Sequence, residues 1–164
     1  IRTGLSVIEA EHLLRALAAA YPAYWEWAER VIDTGVLTGR LSTVFGWPVH
    51  VTGNTRPTSL RNFPMQSNGA EMLRLACCLA TERGVSVCAP VHDALLVEAP
   101  ASEIKDAVAE TRAAMAQAVQ AVLEGLEIGT DVAVVRSPKR YSDPRGEVMW
   151  ARVNELLDRQ GCKG

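Results

Sequence analysis

The sequence predicts an α+β fold, with a small antiparallel sheet packed against several helices. Three observations lead there. Apolar residues recur at helical spacing through several long stretches. Short β-prone runs, bounded by glycine and proline, interrupt them at 39–45, 49–51, 85–97 and 131–135. Strands and helices follow no βαβα rhythm, so an antiparallel sheet is expected, made of a hairpin over 85–97 and a strand near 131–135.

The elements follow in order. Ser6 with Glu9 three residues on makes a capping box, and Leu13, Leu14, Leu17 and Ala20 continue at helical spacing. Pro22 suits the first turn of a second helix, which Gly35 is expected to end. Trp25, Ala28 and Ile32 share one face of it. Alternation around 39–45 and 49–51 predicts two short strands turned at Gly46-Trp47. A long helix runs from about Met65 to Arg83 and stops at Gly84, with Met65, Met72, Leu75, Ala76 and Leu79 as its core stripe. Its start has two solutions. Asn62 caps it with Pro64 in the first turn, or it begins near Pro57 and Pro64 kinks it. In both, Asn62, Gln66 and Gly69 lie close to one face.

Val85 to Cys88 reads as a short buried strand and Leu95 to Val97 as another. A helix from about Ser102 to Leu123 buries Ile104, Val108, Met115, Val119 and Val122. "TDVAVVRS" reads as a third strand, and "RGEVMWARVNELLDR" as a last helix.

At 164 residues, 48% apolar and 22% charged, the chain is one globular domain by length. A net charge of −2 argues against a wholly basic surface but leaves room for a local basic groove. Cys77, Cys78, Cys88 and Cys162 have no CxxC spacing and no zinc pattern, and read as reduced, buried thiols of a cytoplasmic protein. No apolar run approaches membrane-spanning length, so no membrane partner is expected. The chain begins at Ile1, without methionine, and a helical pattern starts almost at once. It reads as a piece of a longer chain.

Chemistry concentrates in "CAPVHDALLVEAP", residues 88–100. Inexpensive hairpin turns use Asn-Gly or Asp-Gly, whereas this one uses His92-Asp93. An Asp fixed at the tip of two core strands and open to water is well placed to hold Mg²⁺, which prefers carboxylate and water oxygens. One carboxylate is not a two-metal site, because the metals lie only about 4 Å apart and need a second acid. Glu98 would be about 16 Å away along an extended strand. Glu71 and Asp131 are not placed by sequence alone. Taken by itself, His-Asp is most often a solvated turn.

Taken together, the stretches point further. "VHDALLVEAP" resembles motif C of family A DNA polymerases, the family of bacterial DNA polymerase I. "RNFPMQSNGAEMLRLA" resembles the segment upstream that opens a long palm helix. "GRLSTVFGWPVHV" resembles the Gly-x-x-x-Thr-x-x-Gly-Arg-Arg segment, and "AAAYPAYWEWAERV" the helix pair after the fingers. Order and spacing agree from about Leu5 to the third strand.

The resemblance implies a polymerase palm-like fold, with 1–35 as the helix pair and 36–164 as the palm portion. It implies that Asp93 is the catalytic carboxylate holding divalent metal, and that His92 contacts the primer-terminal nucleotide. It implies that Gln66 and Asn62 contact the template-primer, where amide donors check pair shape without reading sequence. Arg40 and Arg56 are the candidate phosphate contacts, with a solvated loop arginine as the alternative for each. The implied partners are a DNA template-primer, deoxynucleoside triphosphates and the rest of the polymerase chain. The implied cofactor is Mg²⁺.

The sequence departs from the family pattern at several points. Ala94 stands where the family usually has Glu, Pro90 where Gln precedes the Val, and Trp47-Pro48 where it has Arg-Arg. No Asp-Tyr-Ser-x-x-Glu stretch (motif A) and no fingers helix (motif B) is present in these residues. The chain alone is therefore expected to be inactive and to act only within a longer polymerase. A non-catalytic DNA-binding or protein-interaction domain that keeps the palm fold is the competing expectation.

Overall fold

Ser6 opens the first helix as its pattern requires. Its hydroxyl accepts from the Glu9 backbone N–H at 3.3 Å, while the Glu9 carboxylate accepts from the Ser6 N–H at 2.8 Å. The computed structural model describes residues 4–159. Their order is α1 (Val7–Ala20), α2 (Pro22–Thr38), β1 (Arg40–Ser42), β2 (Pro48–His50), α3 (Pro57–Glu82), β3 (Ser86–Val91), β4 (Ala94–Glu98), α4 (Ile104–Leu123) and α5 (Glu147–Arg159). The result is mixed α and β, with two small antiparallel sheets, β1–β2 and β3–β4. The chain divides into two compact units, one ending at Thr130 and one beginning at Asp131.

In the first unit α3 is the central element. Its packing against α4 rests on small residues: Ala76, Ala80, Ala114 and Ala118 are all buried. Ala80, Val85 and Ala114 form the core cluster, with Leu79, Val87 and Val97 packed on it. Alanine lets the two helices approach closely at little side-chain entropy cost. On the other side α3 meets α2. There Arg61 pairs with Glu29 at 2.5 Å and lays its guanidinium over Trp25 at 5.1 Å. At the far end of α3, Arg83 donates to the Gln117 side-chain oxygen of α4 at 2.5 Å. The helix begins at Pro57 and carries Pro64 inside it, so the second of the two possible starts is the observed one. Pro57 fits the first turn, where its missing N–H costs nothing.

Gly35 does not cap α2. The helix runs on to Thr38, and Gly39, with φ of 69°, takes the left-handed cap. Gly35 is buried instead, where a Cβ would lie 3.3 Å from Leu41 Cγ and 3.4 Å from Val51 Cγ2. Its lack of a side chain lets the first hairpin dock on α2.

The structure corrects other expectations. Leu13, Leu14 and Leu17 are exposed, and α1 buries no residue. Of the α3 stripe, Ala76 is buried, Met72, Leu75 and Leu79 are half-buried, and Met65 is exposed. On α4, Val119 and Val122 are buried while Ile104, Val108 and Met115 are half-buried. The cysteines are free but not buried: Cys77 is half-buried, and Cys78 and Cys88 are exposed. Partial burial, with Cys78 beside it, pushes the Cys77 thiol above its ordinary value. Cys162 lies outside the described residues. Val85 is buried but Cys88 faces out, because alternate residues of β3 point to opposite faces and Val87 and Ala89 take the inner one.

The strand expected near 131–135 does not form, and every residue of that segment is exposed. β-propensity measures fit to a half-buried pleated surface, and among the described residues no strand lies alongside to provide one. The second unit is built around α5. A short 3₁₀ turn, Pro144–Gly146, precedes it, and the Arg145 guanidinium holds the Asp143 carboxyl down to about 2. Among the described residues no helix is long and apolar enough to cross a membrane.

The capping box is testable by titration. Its hydrogen bonds from Ser6 hold the Glu9 carboxyl below its ordinary 4.5. A carboxyl lowered in the folded state adds stability above its unfolded value and loses that stability as pH falls through the folded one. Ser6→Ala is expected to return the Glu9 midpoint toward 4.5 in an NMR titration and to flatten the acid-side fall in α1 helicity.

Candidate functional site

The second hairpin places the His-Asp pair. Val91 pairs with Ala94, so His92 and Asp93 form a two-residue turn at the tip of β3 and β4. His92 adopts φ of 56°, the left-handed region that favours glycine. The turn therefore holds a strained backbone at the residue beside the carboxylate. Both side chains are exposed, and among the described residues neither has a hydrogen-bond or ion-pair partner. Asp93 thus presents an open carboxylate on a paired scaffold, as the sequence led us to expect.

A second acid is not beside it. Among the described residues no group of three or more His, Cys, Asp or Glu could hold a metal ion. Ala94 occupies the next position, and Glu98 lies at the far end of β4, opposite Ser86. The donor set present does not fit a paired-ion centre, which needs carboxylates converging on ions about 4 Å apart.

The amides lie elsewhere. Asn62 and Gln66 sit one turn apart on α3, both exposed. Arg56 is the N-cap residue of α3, whose first turn has no acid and no side-chain cap. Pro57 has no N–H, and the Ser59 and Leu60 N–H groups donate to the Arg56 carbonyl at 2.9 and 3.3 Å, so the helix dipole and the guanidinium are what favour an anion there. Arg40 opens β1 opposite His50. Among the described residues, neither Arg40 nor Arg56 has an ion-pair partner.

Charge is distributed unevenly along the chain. Between Asp33 and Glu71 the sequence has no carboxylate, while Arg40, Arg56 and Arg61 all fall there. Among the described residues, Arg61 is the one of these that is paired, with Glu29. A chain of net charge −2 therefore concentrates unpaired positive charge on the first hairpin and the start of α3.

Sequence reasoning missed a side-chain ring that ties this hairpin to α3. Glu71 is only 3% exposed. The Thr43 hydroxyl donates to one of its carboxylate oxygens at 2.5 Å, and the Arg74 guanidinium pairs with the other. The same guanidinium lies over the Trp47 ring at 5.1 Å. The Trp47 backbone N–H donates back to the Thr43 hydroxyl at 3.1 Å, which closes the ring. The Glu71–Arg74 spacing on one helix was a visible signal, but the threonine that buries the acid is remote in sequence.

No protein-family model matches the chain. DNA polymerase I of Deinococcus radiodurans is 26% identical over 141 residues, covering 77% of this chain and 15% of that protein. The thermostable DNA polymerase I of Thermus thermophilus is 29% identical over 123 residues, covering 67% of this chain and 15% of that protein. The chain thus spans about 15% of the length of the curated relatives it matches. Among solved structures, the POL domain of Pol1 from M. smegmatis, in complex with DNA primer-template and dNTP, superposes with a TM-score of 0.62 at 21% identity. The superposition covers 70% of this chain and 23% of that one, and shows a shared fold.

The turn geometry yields a stability test. His92→Gly is expected to leave unfolding by urea unchanged or slightly later. His92→Val should cost about 1–2 kcal/mol, because a β-branched residue resists positive φ.

Proposed function

From its relation to DNA polymerase I, we propose that this chain is the C-terminal palm part of a DNA-directed DNA polymerase. In this reading residues 1–35 form the helix pair after the fingers and 36–164 the palm portion. Deoxynucleotidyl transfer is carried out by the longer chain, on a DNA template-primer and deoxynucleoside triphosphates. The observation that carries the reading is the exposed carboxylate of Asp93, without a partner among the described residues and set at a two-residue turn between paired strands. The sequence relatives support the same reading across most of the chain.

Each residue then has a physical task. Asp93 supplies one carboxylate to a divalent-metal centre whose other acid comes from outside these residues. His92, held at positive φ, meets the primer end. Asn62 and Gln66 offer amide donors to the degenerate minor-groove edge, where acceptors vary little with sequence. Arg40 and Arg56 neutralise backbone phosphates, and the start of α3 adds the positive end of its dipole. The isolated chain, having one carboxylate at the turn, binds Mg²⁺ weakly and does not polymerise.

Primer extension by the full-length protein tests this directly. Asp93→Ala is expected to lower the extension rate by at least about 100-fold, the scale for losing one charge-stabilising group, with template-primer affinity unchanged. The 164-residue chain alone should extend no primer. Equal rates for wild type and Asp93→Ala would remove the carboxylate from the mechanism and favour a DNA-binding domain without catalysis.

A further inference from the structure

We propose that Trp47 is a nucleic-acid contact, and that Glu71, acting through Arg74, is its positioning residue. The inference rests on the polymerase reading and adds to it a residue that family resemblance does not supply, since this sequence has Trp47-Pro48 where the family has arginines.

Trp47 follows the Thr43–Gly46 turn of the first hairpin and is 62% exposed. A large aromatic side chain left in water forgoes the gain of burial, so it invites a partner. The ring is not free to tumble. One side lies under the Arg74 guanidinium, and the residue's own N–H is bonded to Thr43. Arg74 in turn stays in place because it neutralises a buried carboxylate. Without it Glu71 would be an uncompensated charge out of water. The ring of bonds therefore holds the indole at its backbone and on its face and leaves the rest open. A side chain already ordered loses little entropy on contact.

Charge identifies the partner. From Thr34 to Ala70 the chain has no carboxylate, and among the described residues the one acid bonded to the hairpin turn is Glu71, buried and paired. Arg40 and Arg56 remain without ion-pair partners among the described residues. An open aromatic ring on a stretch of chain that carries arginines and no carboxylate suits a strand whose phosphates meet the arginines and whose base or sugar faces meet the ring. An acidic protein surface is the competing occupant, and the test below separates it.

The experiment measures equilibrium binding of a labelled single-stranded oligonucleotide and of a labelled primer-template to the full-length protein at fixed salt. Trp47→Ala is expected to weaken one or both by about fivefold or more, the scale of one lost stacking contact. Trp47→Phe should keep most of the affinity. Trp150→Ala, at an exposed tryptophan of the other unit, should change nothing. Glu71→Gln should weaken binding by itself and add nothing in the Trp47→Ala background. That non-additivity is what a purely structural role for Glu71 would not produce. Wild-type affinity in Trp47→Ala, equal losses in the Ala and Phe variants, or simple additivity with Glu71→Gln each overturn the inference while the polymerase reading stands. A wild-type protein that binds neither DNA overturns both.

Discussion

Close packing of α3 on α4 through alanine is the constraint on which the first unit depends. Ala76 and Ala80 on one helix and Ala114 and Ala118 on the other are buried, and no large side chain in the described structure is fully enclosed. Two helices held this near make a stiff slab without needing a thick core. The second hairpin packs on it through Val87 and Val97, and the tip that carries Asp93 inherits its position from that contact.

The first hairpin is held by different physics. Its strands are three residues each, too short to be stable alone. One tie is steric: Gly35 yields space to Leu41 and Val51. The other is electrostatic: Glu71, buried between Thr43 and Arg74, locks the turn to α3. Burying a carboxylate is costly unless it is fully paired, and here both oxygens are used. A charge placed this way gives less stability than an apolar contact would, but it specifies one geometry. Where a turn must present particular side chains, geometry is the more useful return.

Departures from the family pattern fall at the two hairpin tips. At one, Ala94 removes an acid next to Asp93, leaving a single carboxylate on the turn. At the other, an indole braced by a guanidinium replaces a pair of arginines. Both changes lower the charge of a tip. The fold is shared with the Pol1 POL domain, and the side chains at the two tips are this chain's own.

Local signals settled much of this by themselves. The Ser6–Glu9 box, Pro22 at a first helical turn, the long helix stopped at Gly84 and the His92-Asp93 turn all appear where the residues place them, because each depends on neighbours only a few positions away. The exposed amides of Asn62 and Gln66 were legible for the same reason. Tertiary structure decided the rest. Gly35 became a packing site because Leu41 and Val51 approach it. The run at 131–135 stayed out of a sheet because a strand exists only beside another strand. The role of Glu71 emerged only when a threonine 28 residues away reached its carboxylate. Spacing along a chain reports which groups share a face, but partners brought together by folding set burial, pairing and the cost of charge.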